Sequence, residues 1–244
     1  MAERVAVVAV GGHESAHGAA LPGLLGPEVT SVAVGRQTHR AVSALLGGGA
    51  ERVCVVPMTL GRDAGLVGQT ARTLRALPAA ERSRVVLGRP FGAAGQLIGW
   101  LRAAAARVPA RAAILVTAPA GEPDEDAELY RLARLVWQYG THRIVEVALI
   151  GGDPDLGRAL ERCRVLGAAR TVAIPASFVL PAVPGVAPLL SQATAAGILA
   201  ARVGRALERF DTHPADGLVA ADRCLLDEAP DHEAVSAAAR FPVA

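Results

Sequence analysis

Residues 50–57 read Ala-Glu-Arg-Val-Cys-Val-Val-Pro, and residues 168–175 read Ala-Ala-Arg-Thr-Val-Ala-Ile-Pro. In each octapeptide a short β-branched run ends at a proline, and a longer segment rich in Ala, Leu and Arg precedes it. Runs of the first kind are typical of buried strands, and the longer segments are typical of helices. The similarity of the two octapeptides predicts that the chain contains one α/β unit twice.

The same alternation of short strands and longer helices runs along most of the chain. The predicted strands are apolar almost throughout, so helices are expected to cover both faces of each sheet. We therefore predict an α/β fold of two similar lobes, each a parallel β-sheet flanked by helices, with a cleft between them. The predicted domains are lobes at 1–108 and 109–210 and a C-terminal tail at 211–244. The predicted strands are Val5–Val10, Val29–Val34, Arg52–Val56, Arg84–Leu87, Ala113–Thr117, Ile144–Ile150 and Thr171–Ile174. The predicted helices are Gln37–Leu46, Leu66–Leu77, Gly95–Arg107, Asp124–Tyr139, Pro154–Leu166 and Pro188–Phe210.

The composition excludes several classes of protein. Of the 244 residues 52% are hydrophobic and 20% are charged, which excludes a disordered chain. All 25 basic residues are Arg and are interleaved with 23 acidic residues, so no basic block indicates a nucleic-acid partner. Three scattered cysteines predict a reducing, cytoplasmic location. Four prolines interrupt the most membrane-like stretch, Thr171–Ala201, so no membrane-spanning helix is expected.

The loop after the first predicted strand contains the first candidate site residue. Ligands of open α/β sheets bind beyond the carboxyl ends of the strands. This loop begins Gly11-Gly12-His13, and the two glycines allow a sharp turn that leaves His13 at that edge. A histidine there can ligate a metal ion or accept a proton near neutral pH. The alternative is an ordinary polar loop residue.

The same loop matches a second pattern. His13-Glu14-Ser15-Ala16-His17 fits the His-Glu-x-x-His motif, in which two histidines on one helical face bind zinc and the glutamate acts as general base. Here the motif begins in a Gly-Gly turn and not inside a helix, and Glu28 is the only third ligand that suggests itself. A zinc hydrolase is kept as an alternative hypothesis.

Later loops carry further charged residues. Arg62 and Arg89 follow the third and fourth predicted strands, where a guanidinium can bind carboxylates. Asp63 either ligates a cation or caps the following helix. The acidic run 122–128 begins a predicted helix and is expected to stabilise the helix macrodipole rather than to form a metal site. Walker, strand-linked GxGxxG and GxSxG motifs are absent, which disfavours nucleotide-dependent and serine-hydrolase chemistry.

These residues resemble the signatures of the sirohydrochlorin chelatases, the class II chelatases of cobalamin and siroheme biosynthesis. The family has a His-Gly-Ser motif after its first strand, where this chain has His13-Glu14-Ser15. A second signature ends in Gly-Arg-His, where this chain has Gly61-Arg62-Asp63. The second half is similar to the degenerate repeat of the long bacterial members, and the resemblance spans about residues 4–205.

The resemblance implies a lyase that inserts a divalent metal ion into a carboxylate-rich tetrapyrrole. The metal, Co²⁺, Fe²⁺ or Ni²⁺, is then a substrate, and no organic cofactor is needed. Lobe 1–108 carries the site, and lobe 109–210 is the degenerate repeat. The implied roles are catalysis for His13 and Glu14, metal binding for His13 and Asp63, and tetrapyrrole binding for Ser15, Arg62 and Arg89.

Two residues depart from the family pattern. Asp63 stands where the family has its second histidine, and Glu14 replaces a small glycine. A carboxylate in place of an imidazole hardens the site and weakens binding of cobalt or ferrous iron. Either Glu14 and Asp63 rebuild the site around His13, or the chain is a non-catalytic tetrapyrrole- or metal-binding homologue.

Overall fold

A computed structural model describes residues 4–212 and Leu218. These residues form two sheets that contain only parallel strands and are flanked by helices, which confirms the predicted α/β fold class. A 3₁₀ turn over His13–Ser15 follows the first strand. The strands are β1 (Val5–Gly11), β2 (Thr30–Ala33), β3 (Arg52–Met58), β4 (Val85–Leu87), β5 (Ala113–Pro119), β6 (Val145–Ile150) and β7 (Thr171–Pro175). The α-helices are α1 (Pro22–Leu25), α2 (Arg36–Gly47), α3 (Gly65–Arg75), α4 (Ala79–Arg82), α5 (Ala94–Ala105), α6 (Pro123–Gln138), α7 (Leu156–Val165) and α8 (Gln192–Thr212).

Two helices begin later than predicted because polar side chains cap them. α7 begins after Asp155, whose carboxylate accepts a hydrogen bond from the backbone N–H of Arg158 at 2.8 Å. α8 begins after Ser191, whose hydroxyl oxygen accepts one from the backbone N–H of Thr194 at 3.2 Å. The short helices α1 and α4 were not predicted. The predicted tail 211–244 lies outside the described residues, apart from the end of α8 and Leu218.

The two sheets repeat one topology. In the first sheet the order is β2-β1-β3-β4, and in the second it is β6-β5-β7. The two similar octapeptides lie on β3 and β7, which pair in the same way with the central strands β1 and β5. The second sheet has no strand equivalent to β4 within the described chain, and residues 176–191 form neither helix nor strand. The division of the chain at 108/109 remains a prediction.

A continuous apolar core lies between the two sheets. Successive residues of a strand point to opposite faces. Ala9 and Val56 of the first sheet therefore join Ile114 and Val116 of the second in this core, while Val8 faces a separate core on the other side. Burial on both faces explains why the strands read as uninterrupted apolar runs.

The last helix of each half packs against the other half of the same chain. α5, from the first half, contacts α6 and β7 of the second half. α8, from the second half, contacts β3, β4 and α1 of the first half. Each sheet is therefore covered in part by a helix of the other half, which holds the two halves together. No helix within residues 4–212 is long and apolar enough to span a membrane.

We expect the shared core to make the two halves unfold together. Leu101 of α5 is buried in this core, so Leu101→Ala should lower the free energy of unfolding by about 2–5 kcal/mol. The matched change Leu180→Ala, at an exposed position, should alter it by about 0.5 kcal/mol or less. Urea unfolding followed by circular dichroism and tryptophan fluorescence measures both, and two separate transitions would contradict the expectation.

Candidate functional site

The candidate site lies at the carboxyl ends of β1, β3 and β5, where the sequence predicts it. His13 begins the 3₁₀ turn that follows β1. The loop after β3 brings Asp63 to this turn, and the loop after β5 brings the start of α6. The segments 11–18, 57–65 and 117–126, which follow or complete β1, β3 and β5, therefore meet at one place, and they come from both halves of the chain.

His13 contacts two carboxylates through the same ring nitrogen. Its Nδ1 lies 3.3 Å from Oδ2 of Asp63 and 3.4 Å from Oε1 of Glu125. One ligand atom from each of the three residues lies within 4.8 Å of the others. The two distances from Nδ1 match the separation of about 3.4 Å between two ligand atoms of a tetrahedral metal ion with bonds of about 2.1 Å. The His13 and Glu125 side chains are 15% and 19% exposed, so an ion can reach this group from solvent.

Asp63 takes the capping role that the sequence left open, while ligation of a cation by Asp63 remains a prediction. Its Oδ1 accepts a hydrogen bond from the backbone N–H of Leu66 at 3.0 Å and caps the start of α3, while Oδ2 faces His13. Gly12 makes room for this carboxylate, since a Cβ at Gly12 would lie 1.9 Å from Oδ2. A side chain at position 12 would therefore displace Asp63 from His13.

Glu125 is the residue that the sequence analysis missed. The sequence analysis interpreted the acidic run 122–128 only as the start of a helix, and the structure has this helix start. Glu122 and Glu125 form a capping box, in which Oε2 of Glu125 accepts from the backbone N–H of Glu122 at 2.8 Å. The other oxygen, Oε1, faces His13. One feature of the sequence pointed to Glu125. It lies in the first turn of the helix that follows a central strand, at the carboxyl edge where the site is predicted.

The three carboxylates around His13 raise its pKa. Burial is the largest single effect and lowers the pKa of His13, because it disfavours the charged ring. The hydrogen bond with Asp63 and the charges of Glu125, Glu14 and Asp63 together outweigh burial. The Nε2 atom of His13 is buried without a hydrogen-bond partner among the described residues. Protons and metal ions therefore compete for Nδ1.

Glu14 is fully buried and organises the neighbouring loop. Its Oε2 accepts hydrogen bonds from the Thr59 hydroxyl, from the backbone N–H of Leu60 at 3.0 Å and from that of Asp63 at 3.4 Å. Burial raises the pKa of Glu14, and the hydrogen bond from Thr59 and the charge of Arg62 oppose this shift. Oε1 is buried without a partner in the described chain. A catalytic role for Glu14 remains a prediction.

Ser15 and Arg62 are held by internal hydrogen bonds. The Ser15 hydroxyl donates to the carbonyl of Gly12 and accepts from the N–H of Gly18, both at 3.1 Å. The Arg62 side chain is 0% exposed, and its guanidinium donates to the backbone carbonyl of Glu125 at 3.2 Å. Burial lowers the pKa of Arg62, and nearby acidic charges oppose this effect. Tetrapyrrole binding by either residue remains a prediction.

An apolar cavity of about 530 Å³ adjoins the turn that carries His13. Ala16 and Leu60 form part of its wall, and residues 177–180 and 188–190 form much of the rest. The backbone N–H of Phe178 donates to the carbonyl of Glu14 at 2.9 Å, which ties this wall to the site. Arg89 is half-buried and follows β4; substrate binding by Arg89 remains a prediction.

The geometry of the turn differs from the one that a zinc hydrolase requires. The 3₁₀ turn is three residues long, and Ala16 and His17 then adopt left-handed φ angles of 50° and 54°. His13 and His17 therefore do not share a helical face. His17 is exposed and is not part of the described group around His13, and the buried Glu14 carboxylate does not reach solvent.

Comparison with known proteins gives a partial similarity. A sirohydrochlorin cobaltochelatase of Priestia megaterium is 35% identical to this chain over 65 residues. The match covers 26% of this chain and only 21% of that protein. No family model matches the chain. The chain is thus a distant partial relative of a metal chelatase.

The raised pKa of His13 predicts a pH dependence of stability. Folding favours the protonated ring, so this contribution is complete below the unfolded pKa of about 6.5 and is lost as the pH rises through the folded pKa. Asp63→Asn should lower the pKa of His13, because a neutral amide replaces the charge but can still cap α3. An NMR titration of the His13 ring measures this shift.

The control for this titration is Asp155→Asn, the same substitution at the cap of α7. It should leave the pKa of His13 unchanged. If Asp63→Asn also leaves that pKa unchanged, the contact between Asp63 and His13 does not hold in solution.

Proposed function

We propose that the chain inserts a divalent metal ion, cobalt or ferrous iron, into a sirohydrochlorin-type tetrapyrrole. The observation that carries this proposal is the group of His13, Asp63 and Glu125, together with an apolar cavity whose wall includes Ala16 and Leu60 from the same two loops as His13 and Asp63. The partial similarity to a cobaltochelatase supports the same reaction. The metal ion is a substrate in this reaction, and no organic cofactor takes part.

The metal ion binds to one nitrogen and two oxygens in this proposal. Nδ1 of His13, Oδ2 of Asp63 and Oε1 of Glu125 supply three ligands, and the remaining coordination positions stay open toward the tetrapyrrole nitrogens. This set is harder than one with two histidines and holds cobalt or ferrous iron less tightly. Moderate affinity suits a metal ion that must leave the protein for the macrocycle.

His13 also accepts a proton when the metal ion leaves. Insertion replaces two pyrrole N–H protons by one divalent ion, so two protons must leave the macrocycle. Once the ion has moved, the charges of Asp63 and Glu125 again face Nδ1 and favour its protonation. Metal delivery and proton uptake are thus coupled at one atom, and solvent takes the second proton.

The apolar cavity accepts one face of the tetrapyrrole ring. Its wall contains Leu24, Leu60 and Phe178, which offer apolar contacts to a flat macrocycle. Arg89 binds a substrate carboxylate. Ser15 and Arg62 support the site by position, because the Ser15 hydroxyl and the Nε and Nη2 atoms of Arg62 bond to the backbone. Glu14 likewise acts by fixing residues 59–63.

One observation favours a second candidate function. Asp63 replaces the imidazole that the chelatase signature contains, which fits a homologue that binds a metal ion or tetrapyrrole without inserting the metal. Such a protein would bind Co²⁺ through His13. In a mixture of sirohydrochlorin and Co²⁺, it would not make the absorbance change faster than it does without protein.

The decisive experiment incubates the purified chain with sirohydrochlorin and Co²⁺, Fe²⁺ or Ni²⁺ and follows the macrocycle absorbance. We expect the parent to accelerate insertion and His13→Ala to abolish the acceleration. Glu125→Gln should weaken Co²⁺ binding by about ten-fold or more, since it removes a charged ligand. Asp63→His should improve the use of cobalt, because it supplies a second imidazole.

His17→Ala is the matched control, because His17 is exposed and lies outside the group around His13. Its insertion rate should equal that of the parent. If His13→Ala and the parent insert the metal at equal rates, the metal site lies elsewhere in the chain. If the parent accelerates insertion of none of the three metals, the second candidate function, a binding protein without insertion activity, replaces the first.

A further inference from the structure

The hydroxyl of Thr59 lies at the centre of the loop that carries Asp63. Thr59 directly follows β3 and is only 3% exposed. Its Oγ1 donates a hydrogen bond to Oε2 of Glu14 and accepts from the backbone N–H groups of Gly61 at 2.9 Å and Asp63 at 3.3 Å. A hydroxyl has one proton to donate and two lone pairs to accept with, so all three are in use. A side chain without a hydroxyl at this position removes three hydrogen bonds at once.

Glu14 completes the same network from the turn after β1. Its Oε2 also accepts hydrogen bonds from the backbone N–H groups of Leu60 at 3.0 Å and Asp63 at 3.4 Å. Two oxygen atoms, Oγ1 of Thr59 and Oε2 of Glu14, thus hold the N–H groups of residues 60, 61 and 63, and they share the N–H of Asp63 between them. Buried backbone N–H groups need acceptors, so the path of this loop depends on these two oxygens.

The network reaches Asp63 through its backbone. The Asp63 carboxylate has its own contacts: Oδ1 accepts from the N–H of Leu66 at 3.0 Å, and Oδ2 lies 3.3 Å from Nδ1 of His13. An aspartate side chain is short, so the position of its backbone and the cap on α3 together decide where Oδ2 lies. Thr59 therefore influences the distance between Asp63 and His13 without touching either side chain's metal-binding atom.

We propose that Thr59 is a positioning residue for the metal ion, which acts by holding Oδ2 of Asp63 beside His13. This inference rests on the proposed function, because it takes His13, Asp63 and Glu125 as the metal ligands. Thr59 does not touch the ion, since its hydroxyl is fully used by Glu14 and the backbone. Loss of a group that orients a metal ligand lowers metal affinity by about 10–100-fold. A Thr59 with a merely structural role would change stability and leave the metal ligands as they are.

Titration of the full-length chain with Co²⁺ tests the proposal, because it measures metal binding without requiring insertion. Thr59→Val replaces the hydroxyl by a methyl group of similar size and should weaken Co²⁺ binding by about 10–100-fold. Thr59→Ser keeps the hydroxyl and should retain most of the affinity that Thr59→Val loses. Thr59→Ala differs from Thr59→Ser only in the hydroxyl and should bind Co²⁺ as weakly as Thr59→Val. The comparison of Ser with Ala carries the test by itself if Thr59→Val does not fold.

Thr38→Val is the matched control, because it removes a second buried threonine hydroxyl from the same half of the chain. Thr38 lies on α2 and is fully buried, and its hydroxyl donates to the backbone carbonyl of Ala33 at 2.8 Å. This variant should lower the free energy of unfolding but leave Co²⁺ affinity unchanged. It thus separates the effect of general destabilisation from the effect of a displaced metal ligand.

A double-mutant cycle shows whether Thr59 acts through Asp63. Asp63→Asn removes the charged ligand, while its amide oxygen can still cap α3. Thr59→Val should weaken Co²⁺ binding much less in Asp63→Asn than in the parent, since both changes then remove the same interaction. The visible absorption of bound Co²⁺ depends on the number and geometry of its ligands. In Thr59→Val this spectrum should shift toward that of Asp63→Asn.

The outcomes separate this proposal from the proposed function. A parent that binds Co²⁺ but inserts none contradicts the insertion reaction, and the cycle still decides the role of Thr59. Equal Co²⁺ affinities of Thr59→Ser and Thr59→Ala overturn the positioning role even if the parent inserts the metal. Equal losses from Thr59→Val in the parent and in Asp63→Asn overturn it as well. A parent that binds no Co²⁺ overturns both proposals.

Discussion

The buried guanidinium of Arg62 joins the two halves of the chain at the candidate site. A charged group that is removed from water must be hydrogen-bonded, or its burial costs several kcal/mol. Arg62 donates to the backbone carbonyls of Glu125 and Pro119 and lies 3.5 Å from the carboxylate of Asp126. All three acceptors belong to the second half, whereas Arg62 follows β3 of the first. This contact therefore fixes the start of α6 against the loop that carries Asp63, and with it the position of Glu125 beside His13.

The fold could be predicted from the sequence because strands buried on both faces leave an unambiguous pattern. The apolar runs gave all seven strands, and the rule for the carboxyl ends of parallel strands gave the loops that meet at the site. His13 and Asp63 were found in this way. Helix starts were less accurate, since Asp155 and Ser191 act as caps through side-chain contacts that apolar periodicity does not reveal.

The missing parts of the site depend on contacts between residues far apart in the chain. Glu125 lies in an acidic run that satisfies every rule for a helix start, so nothing local separates it from its neighbours. Arg62 follows a strand at the predicted edge, but which way its guanidinium points depends on carbonyls more than 50 residues later. Local patterns give the place of such residues and not their orientation.

The shorter second half explains how a repeated unit can produce one asymmetric site. Because no strand equivalent to β4 follows β7 in the described chain, residues 176–191 are free to turn back toward the first half. Phe178 donates its N–H to the carbonyl of Glu14 and packs edge-on against Phe91, with ring centroids 5.5 Å apart. The first half thus supplies His13 and Asp63, while the second supplies Glu125 and an apolar wall. The difference of one strand between the two sheets is therefore what lets the second half contribute an apolar wall, and not a second copy of the charged group, to the site.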